Sequence, residues 1–402
     1  MNFDLPEELV ALKDAVVDFA NRRLTDDAEV YERTGEFAYD LIREMGAMGL
    51  FGAPFPEELG GSEAGFLAVS VIAEEISRIS PAYGYAMNMQ CATCPYTIYN
   101  WGTQDQVERF VPGLIAGQSI GMFGLTEPGG GSDPAGAMRT TARREGDYYI
   151  LNGSKMWITF SHATDVGVLF AKTDPNATPV HRGITAFIVE PKRFEGYTAK
   201  PINMPGLSKS LRSCEVFLDD FKVPVENRLG DEGKGFGIAM NALEYGRLTV
   251  SARLTGLAQA ALDASIAYAN ERVVGGGPIA RHQLIQERIA DATVAIEAAR
   301  LMSYRIGWTM DQARVSTRVA SRAKYFATQA ARLAGDVARE VFGGNALTEE
   351  YPVKRLQAYI DMLTVGEGSE NVQRVLIGED ALGIKDATRH AMRNRFVQDR
   401  QR

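Results

Sequence analysis

The sequence predicts a mainly α protein with a small β domain at its centre. An N-terminal helical domain comes first, then a β-barrel or sandwich, then a C-terminal four-helix bundle. Three observations lead there. Apolar residues recur at helical spacing through 1–118, β-branched and aromatic runs broken by Gly and Pro occupy 119–231, and long Ala-rich periodic segments return over 232–385. A basic tail, 386–402, follows, and a chain of 402 residues has room for two or three such domains.

In the first segment Leu9, Leu12, Val16 and Phe19 follow Pro6 at helical spacing, and Phe37, Leu41, Met45 and Met48 repeat it. Gly60-Gly61 interrupts before the run through Val71, Ile72 and Ile76, and Pro81 and Pro112 punctuate the later helices. Cys91 and Cys94 form a C-x-x-C with no second pair and no nearby histidine, which reads as buried thiols in a helix.

In the middle segment DYYILNGSKMWIT predicts a hairpin turning at Asn152-Gly153. Residues 166–171, 183–190 and 213–220 are further strands. The loop FGLTEPGGGSDP (123–134) is Gly-rich but matches neither a dinucleotide fingerprint nor a P-loop.

In the last segment Val319, Ala323, Phe326, Ala330, Leu333, Val337 and Val341 alternate steps of four and three, as in bundle packing. Arg318, Arg322, Arg332 and Arg339 fall on the other side, a solvated or subunit-facing surface. Gly275-Gly276-Gly277-Pro278 breaks the first pair of these helices, and Gly343-Gly344 after Phe342 ends the long one. The tail is expected to be mobile.

Composition narrows the function. A net charge of −8 and a pI near 5.3 argue against nucleic-acid or anionic-membrane partners. No 18-residue apolar run predicts a membrane span. The acidic amphipathic start fits neither a secretory signal nor a transit peptide. Three cysteines make no disulfide framework, so a reducing cytoplasm is the expected location. His162, His181, His282 and His390 are scattered without ligand spacing, and no metal is expected.

The chemistry centres on Gln357–Gly383. Glu367 sits between Gly366 and Gly368, Ser369 is a predicted N-cap, and Val372, Val375 and Leu376 predict the buried face of the helix that follows. A carboxylate in a glycine-flanked turn can be approached closely by a ligand.

LTEPGGGSD (125–133), NGSKMWIT (152–159), ALEYGRL (242–248), ANERVVGG (269–276) with HQL (282–284), FGGNAL (342–347) and GEGSENVQR (366–374) occur in the order and spacing of one family. Over residues 5–383 the chain resembles the acyl-CoA dehydrogenase family of FAD flavoproteins. The resemblance implies FAD as cofactor, an acyl-CoA substrate, an electron-transfer flavoprotein as partner, and a homodimer or homotetramer. It implies flavin contacts for Leu125, Thr126, Trp157 and Thr159. Ser132 matches a residue bonding FAD phosphate or the CoA side of the cleft. Arg272 and Gln283 look like a pair reaching a neighbouring subunit's FAD, and Gly343 and Gly344 admit its adenosine end. Ser369 and Asn371 also match cofactor-binding positions. Arg247 resembles the arginine near CoA and the active-site glutamate, and Gly366 and Gly368 flank the base on the substrate side.

Removing hydrogens from Cα and Cβ of a thioester needs a base for the α proton and an acceptor for the β hydride. The resemblance makes Glu367 that base, with its own backbone N–H polarising the thioester carbonyl. Burial should raise the carboxylate's pKa and suit it to neutral pH.

Departures refine the expectation. Gly366 replaces a common tyrosine, which predicts a substrate branched at Cα or cyclic. Ala358-Tyr359 replaces an Arg-Asp pair, and Gly275 an aromatic. Gly84 stands where the glutaryl-CoA branch carries its carboxylate-binding arginine, which disfavours a dicarboxylic substrate. Asn88 and Cys91 are expected to line the acyl pocket. An oxidase or reductase on the same scaffold is not separated by sequence. A non-catalytic acyl-CoA or flavin-binding protein would be expected to lack Glu367, and Glu244 is the alternative glutamate.

Overall fold

The computed structural model describes residues 3–390 and 392–400. Its N-terminal part is helical, with α1 (Glu7–Arg23), α2 (Asp26–Thr34), α3 (Tyr39–Ala47), α4 (Gly65–Ile79), α5 (Gly84–Met87), α6 (Pro95–Trp101) and α7 (Gln104–Ile115). One turn of π-helix, Asn88–Ala92, lies between α5 and α6. Helix α1 begins after Pro6 with Glu7 and Glu8 in its first turn, ends on Arg22 and Arg23, and buries Val16, Phe19 and Ala20. Thr103 and Gln106 close a capping box on α7. Pro112 lies inside α7 instead of ending it.

Helix α4 is buried almost all round. Its first amides are held from far along the chain: the Phe66 and Leu67 N–H groups donate to Asp311 Oδ1 and Oδ2 at 2.7 and 3.1 Å. Those carboxylate oxygens satisfy donors that a helix start cannot pair internally.

The middle part holds β1 (Gly121–Gly124), α8 (Pro134–Ala137), β2 (Thr141–Glu145), β3 (Tyr148–Thr159), β4 (Val166–Lys172), β5 (Ile184–Val189), β6 (Tyr197–Pro201), β7 (Ser213–Pro224) and β8 (Arg228–Leu229). The strand order is β6-β7-β3-β2-β4-β5-β8, with β1 beside β4. Strands β2 and β4 meet at one pair, Thr141 and Lys172. The two halves so joined enclose a separate core of Met122, Tyr149, Leu151, Leu169, Phe187 and Phe221, among others.

The predicted turn at Asn152-Gly153 is not a turn. The hairpin reverses one step earlier, where Glu145 pairs with Tyr148 across Gly146-Asp147. Strand β3 runs straight through Asn152-Gly153 as a register shift against β7. A Cβ at Gly153 would lie 2.6 Å from Thr140 Cα, so the glycine is required by close packing.

The C-terminal part comprises α9 (Gly235–Glu271), β9 (Val273–Val274), β10 (Gly277–Pro278), α10 (Gln283–Asp311), α11 (Thr317–Phe342), α12 (Val353–Val365), α13 (Glu370–Ala381) and α14 (Arg395–Arg400). Helices α9, α10 and α11 pack on one another, α4 joins them against α9 and α10, and α12 and α13 lie on α11. The arginines of α11 are not simply solvated: Arg318 and Arg322 pair with Asp380, and Arg332 pairs with Glu370, all on α13. The predicted buried face of α13 is covered only in part: Val372 and Leu376 are half-buried and Val375 is 56% exposed, while Glu370 and Gln373 are buried.

The tail departs from the expected mobility. Phe396 and Val397 are buried, and Tyr96 Oη donates to Asn394 Oδ1 at 2.8 Å. No helix among the described residues is long and apolar enough to cross a membrane.

Candidate active site

Helix α12 stops at Gly366 (φ −63°, ψ 154°), and α13 starts after Ser369, whose side chain accepts from the Val372 N–H. Between them Glu367 adopts φ +55° and Gly368 φ +86°. A left-handed conformation costs an L-residue about 1–2 kcal/mol, so the surroundings must hold it. They do so through its carbonyl, which accepts from Arg247 Nε and Gln373 Nε2, each at 3.3 Å.

The turn aims the Glu367 carboxylate at α9. Asn88 Nδ2, on the π-helical turn, donates to Oε1 at 2.7 Å, and Thr249 Oγ1 of α9 donates to Asn88 Oδ1. Oε2 lies against Gly246, where an added Cβ would sit 2.4 Å away. That oxygen is sealed from solvent and has no hydrogen-bond partner. Burial raises the carboxylate's pKa; the Asn88 hydrogen bond and the charges of Arg247, Arg253 and Lys324 pull the other way without cancelling it. Lys324 is itself drawn down by burial to about 8 and donates to the Thr364 carbonyl at 2.8 Å. The Glu367 backbone N–H has no partner among the hydrogen bonds of the described residues.

Glu244, the alternative glutamate, is committed elsewhere. Its Oε1 accepts from Arg247 Nη1 at 2.6 Å and from Thr317 Oγ1 at 2.9 Å. Arg247 therefore bridges Glu244 and the Glu367 backbone. Cys91 shares the π turn with Asn88 but is fully buried in the helical core, where burial pushes its thiol pKa up.

A second group forms around buried Lys155. Its ammonium bonds Glu127 Oε1 at 2.8 Å and the Leu125 carbonyl at 3.3 Å, and burial pulls its pKa down to about 8. Glu127 also accepts from the Arg139 and Thr140 N–H groups at 2.5 and 3.0 Å. The glycine-rich loop is thus anchored to β3. The Met156 N–H donates to the Thr126 carbonyl at 2.9 Å, drawing Met156 and Trp157 out of the β3–β7 ladder between Lys155 and Ile158. Trp157 takes φ +63° and leaves its ring 51% exposed. It lines a cavity of about 570 Å³ with Met204, Pro205, Gln357 and Met362. Thr159, two residues on, contacts Ser213 Oγ at 3.1 Å.

A third group lies at the far end of the helices. Arg272, Tyr268, His282, Gly343 and Gly344 line a cavity of about 410 Å³. A Cβ at Gly343 or Gly344 would meet nothing within 4 Å, so their open backbone faces solvent. Gln283 is exposed beside His282. Ser132 is exposed in its loop, and Asn371 accepts from Arg374 Nη1 at 3.0 Å.

Most of the predicted residues thus fall into three clusters. Sequence reasoning missed Gly246, Thr249, Lys324, Gln373 and the Glu127–Lys155 pair. Only the spacing of Gly246 beside Arg247 offered a signal. Among the described residues no cluster of His, Cys, Asp and Glu could hold a metal ion.

Three domain descriptions match in order: the N-terminal (6–118), middle (122–221) and C-terminal (233–382) domains of acyl-CoA dehydrogenase. Glutaryl-CoA dehydrogenase of Desulfococcus multivorans is 38% identical, over 97% of this chain and all of its own. The caffeyl-CoA reductase-Etf complex subunit CarC of Acetobacterium woodii is 37% identical, over 90% of this chain and 94% of its own. Among solved structures, a glutaryl-coenzyme A dehydrogenase glutaryl-CoA complex superposes with a TM-score of 0.93 at 37% identity, covering 97% of this chain and 99% of that one. A Mycobacterium smegmatis glutaryl-CoA dehydrogenase with FADH2 gives 0.88 at 29% identity, covering 96% and 97%. The chain belongs to the acyl-CoA dehydrogenase family. It is an oxidoreductase acting on CH–CH donors, with FAD as cofactor. An exposed aromatic on an anchored bulge suits a flavin ring, and separately an open glycine pair beside an arginine suits a phosphate-bearing group.

Proposed function

We propose that the protein removes the α proton and β hydride of an acyl-CoA thioester, with Glu367 as the base. The observation that carries this is the carboxylate itself: held in a left-handed turn, hydrogen-bonded on one oxygen by Asn88, and partnerless and buried on the other. A base needs that free oxygen, and its raised pKa brings it nearer the working pH. FAD, when bound, supplies the acceptor for the β hydride. The chain's own residues do the rest. The unpaired Glu367 N–H is available to the thioester carbonyl, Arg247 and Gln373 fix the carbonyl side of that peptide, and Thr126, Trp157 and Thr159 orient the cofactor.

The acyl group in this reading is branched at Cα or cyclic. A Cβ at Gly366 would meet only the Met362 carbonyl, at 4.0 Å, which supports room for such a group beside the base. Electrons leave to an electron-transfer flavoprotein. The kinship with a caffeyl-CoA reductase-Etf subunit favours a second direction, enoyl-CoA reduction, which uses the same groups in reverse. The protein assembles as a homodimer or homotetramer. Val294, Leu301 and Trp308 recur every seven residues on α10 and stay exposed, an apolar stripe that a second copy would cover.

The test is anaerobic titration of the FAD-loaded protein with straight, branched and cyclic acyl-CoAs, followed by visible absorbance. Among uncharged thioesters, a branched or cyclic one is expected to bleach the flavin at the highest kcat/KM. A straight-chain optimum among the uncharged thioesters would refute the steric reading, and no bleaching by any thioester, with no reduction of enoyl-CoAs either, would refute the reaction.

A further inference from the structure

Among the described residues Arg253 is the largest fully buried side chain, only 1% exposed. Its Nε and Nη2 are buried without any hydrogen-bond partner. Its planar face rests on the Tyr85 ring, with Cζ 4.8 Å from the centroid. An aromatic face stabilises a cation but fills none of its N–H bonds. A buried guanidinium lacking a carboxylate is costly, and such groups are normally paired. Elsewhere in this chain the same Nε/Nη2 edge is used for pairing: Arg23 clasps Glu44 with it at 2.7 and 2.8 Å, and Arg318 clasps Asp380 at 2.7 and 2.8 Å. In Arg253 that edge is empty.

Its position gives the empty edge a meaning. Gly246, Thr249 and Arg253 follow at steps of three and four, on one face of α9. The Glu367 carboxylate lies on Gly246, and Asn88 bonds Thr249. Across from them, α5 and the π turn run alongside, with Asn88 at the base and Gly84 against Arg253, where a Cβ would come 2.9 Å from Nε. The proton-abstracting end and the guanidinium therefore mark two ends of one strip, about 10 Å apart along the helix at 1.5 Å per residue. The hydroxyl of Ser77, beside Gly84, is a further buried group without a partner. Arg253 lies close enough to sense the charge of Glu367, and burial lowers its own pKa only to about 10, so it stays cationic at neutral pH.

We infer that Arg253 receives an anionic group at the distal end of the acyl chain, so that the substrate is the mono-thioester of a short dicarboxylic acid. A carboxylate offers two oxygens to the Nε/Nη2 fork, satisfying both orphaned donors and the buried charge together. The sequence argument against a dicarboxylic substrate rested on the absent side chain at Gly84. In the fold that absence makes room for a guanidinium delivered from α9.

The inference rests on the acyl-CoA reading above, and one experiment separates the two. FAD-loaded wild type is titrated anaerobically with succinyl-, glutaryl- and adipyl-CoA and with butyryl-, isobutyryl- and cyclohexanecarbonyl-CoA. Arg253→Lys and Arg253→Met are run alongside, with flavin content and melting temperature as checks on folding. A dicarboxylic thioester is expected to give the highest kcat/KM. Arg253→Met should lower that value at least ~10-fold more than it lowers the values for the uncharged thioesters, and Arg253→Lys should fall between. If uncharged thioesters bleach the wild-type flavin best, the dehydrogenase reading stands and the Arg253 inference is overturned, whether or not the variants fold. Equal losses on charged and uncharged thioesters would reduce Arg253 to a packing role and overturn it too. If no thioester of either kind is turned over, the acyl-CoA reading itself falls, and this inference with it.

Discussion

Gly246→Ala tests whether the placement of the Glu367 carboxylate sets the rate. The added methyl carbon would stand 2.4 Å from Oε2 and 2.5 Å from the carboxylate carbon. Ordinary contact begins near 3.4 Å, so the carboxylate must retreat by about 1 Å. It cannot do so freely, because Asn88 holds Oε1 at 2.7 Å and the backbone is fixed by Arg247 and Gln373. A displacement of about 1 Å in a reacting group costs on the order of 10²-fold in rate. Stability should move little, since alanine is favoured over glycine inside a helix by about 1 kcal/mol, which offsets the crowding. The assay is pre-steady-state flavin reduction by the best substrate, with thermal melting in parallel. A reduction rate within threefold of wild type, on a folded and flavin-loaded variant, would refute the reasoning.

Other perturbations follow from the same geometry. Glu367→Gln should bind substrate yet slow flavin reduction by about 10³-fold or more, read by stopped-flow absorbance. It should also raise the melting temperature at pH 8: the native state raises this carboxyl's pKa above the ordinary 4.5, so its contribution to stability is full below 4.5 and is lost as pH rises through the raised value. The gain should vanish in melts run near pH 4.5, and a gain independent of pH would contradict that sign. Lys155→Met strands the buried Glu127 carboxylate, and urea unfolding should report a loss of about 3–5 kcal/mol. Gly366→Tyr enters open space, so it should fold normally while cutting kcat/KM for branched or cyclic thioesters by about 10-fold or more relative to straight ones.

Much of the fold was legible because local rules and tertiary packing agree. The period of Val319 to Val341 predicted α11, the Ser369 cap predicted the start of α13, and the glycines after Phe342 marked a helix end. Where tertiary contacts override local preference, the reading failed. Asn152-Gly153 has the composition of a turn, yet Thr140 packing against Gly153 keeps β3 extended there. Val375 looked buried because a periodic pattern does not say which neighbour covers it. Glu367 was recognisable from its glycine flanks, but its partners come from α9, α11, α13 and the π turn, at separations no local pattern encodes. Arg253 was invisible for the same reason: in sequence it is one of two arginines in a long helix, and only the fold shows that its fork has nothing to hold.

The capping of α4 by Asp311 has a consequence for the order of events during synthesis. The two N–H groups at the start of that helix wait for a carboxylate 245 residues downstream. At a ribosomal pace of roughly 5–20 residues per second, the wait is on the order of 10–50 s. Through that interval the emerging N-terminal helices carry an apolar element with neither its cap nor the α9 and α10 surfaces that cover it. Nascent chains shorter than about residue 311 are therefore the ones in which chaperones should find a binding site.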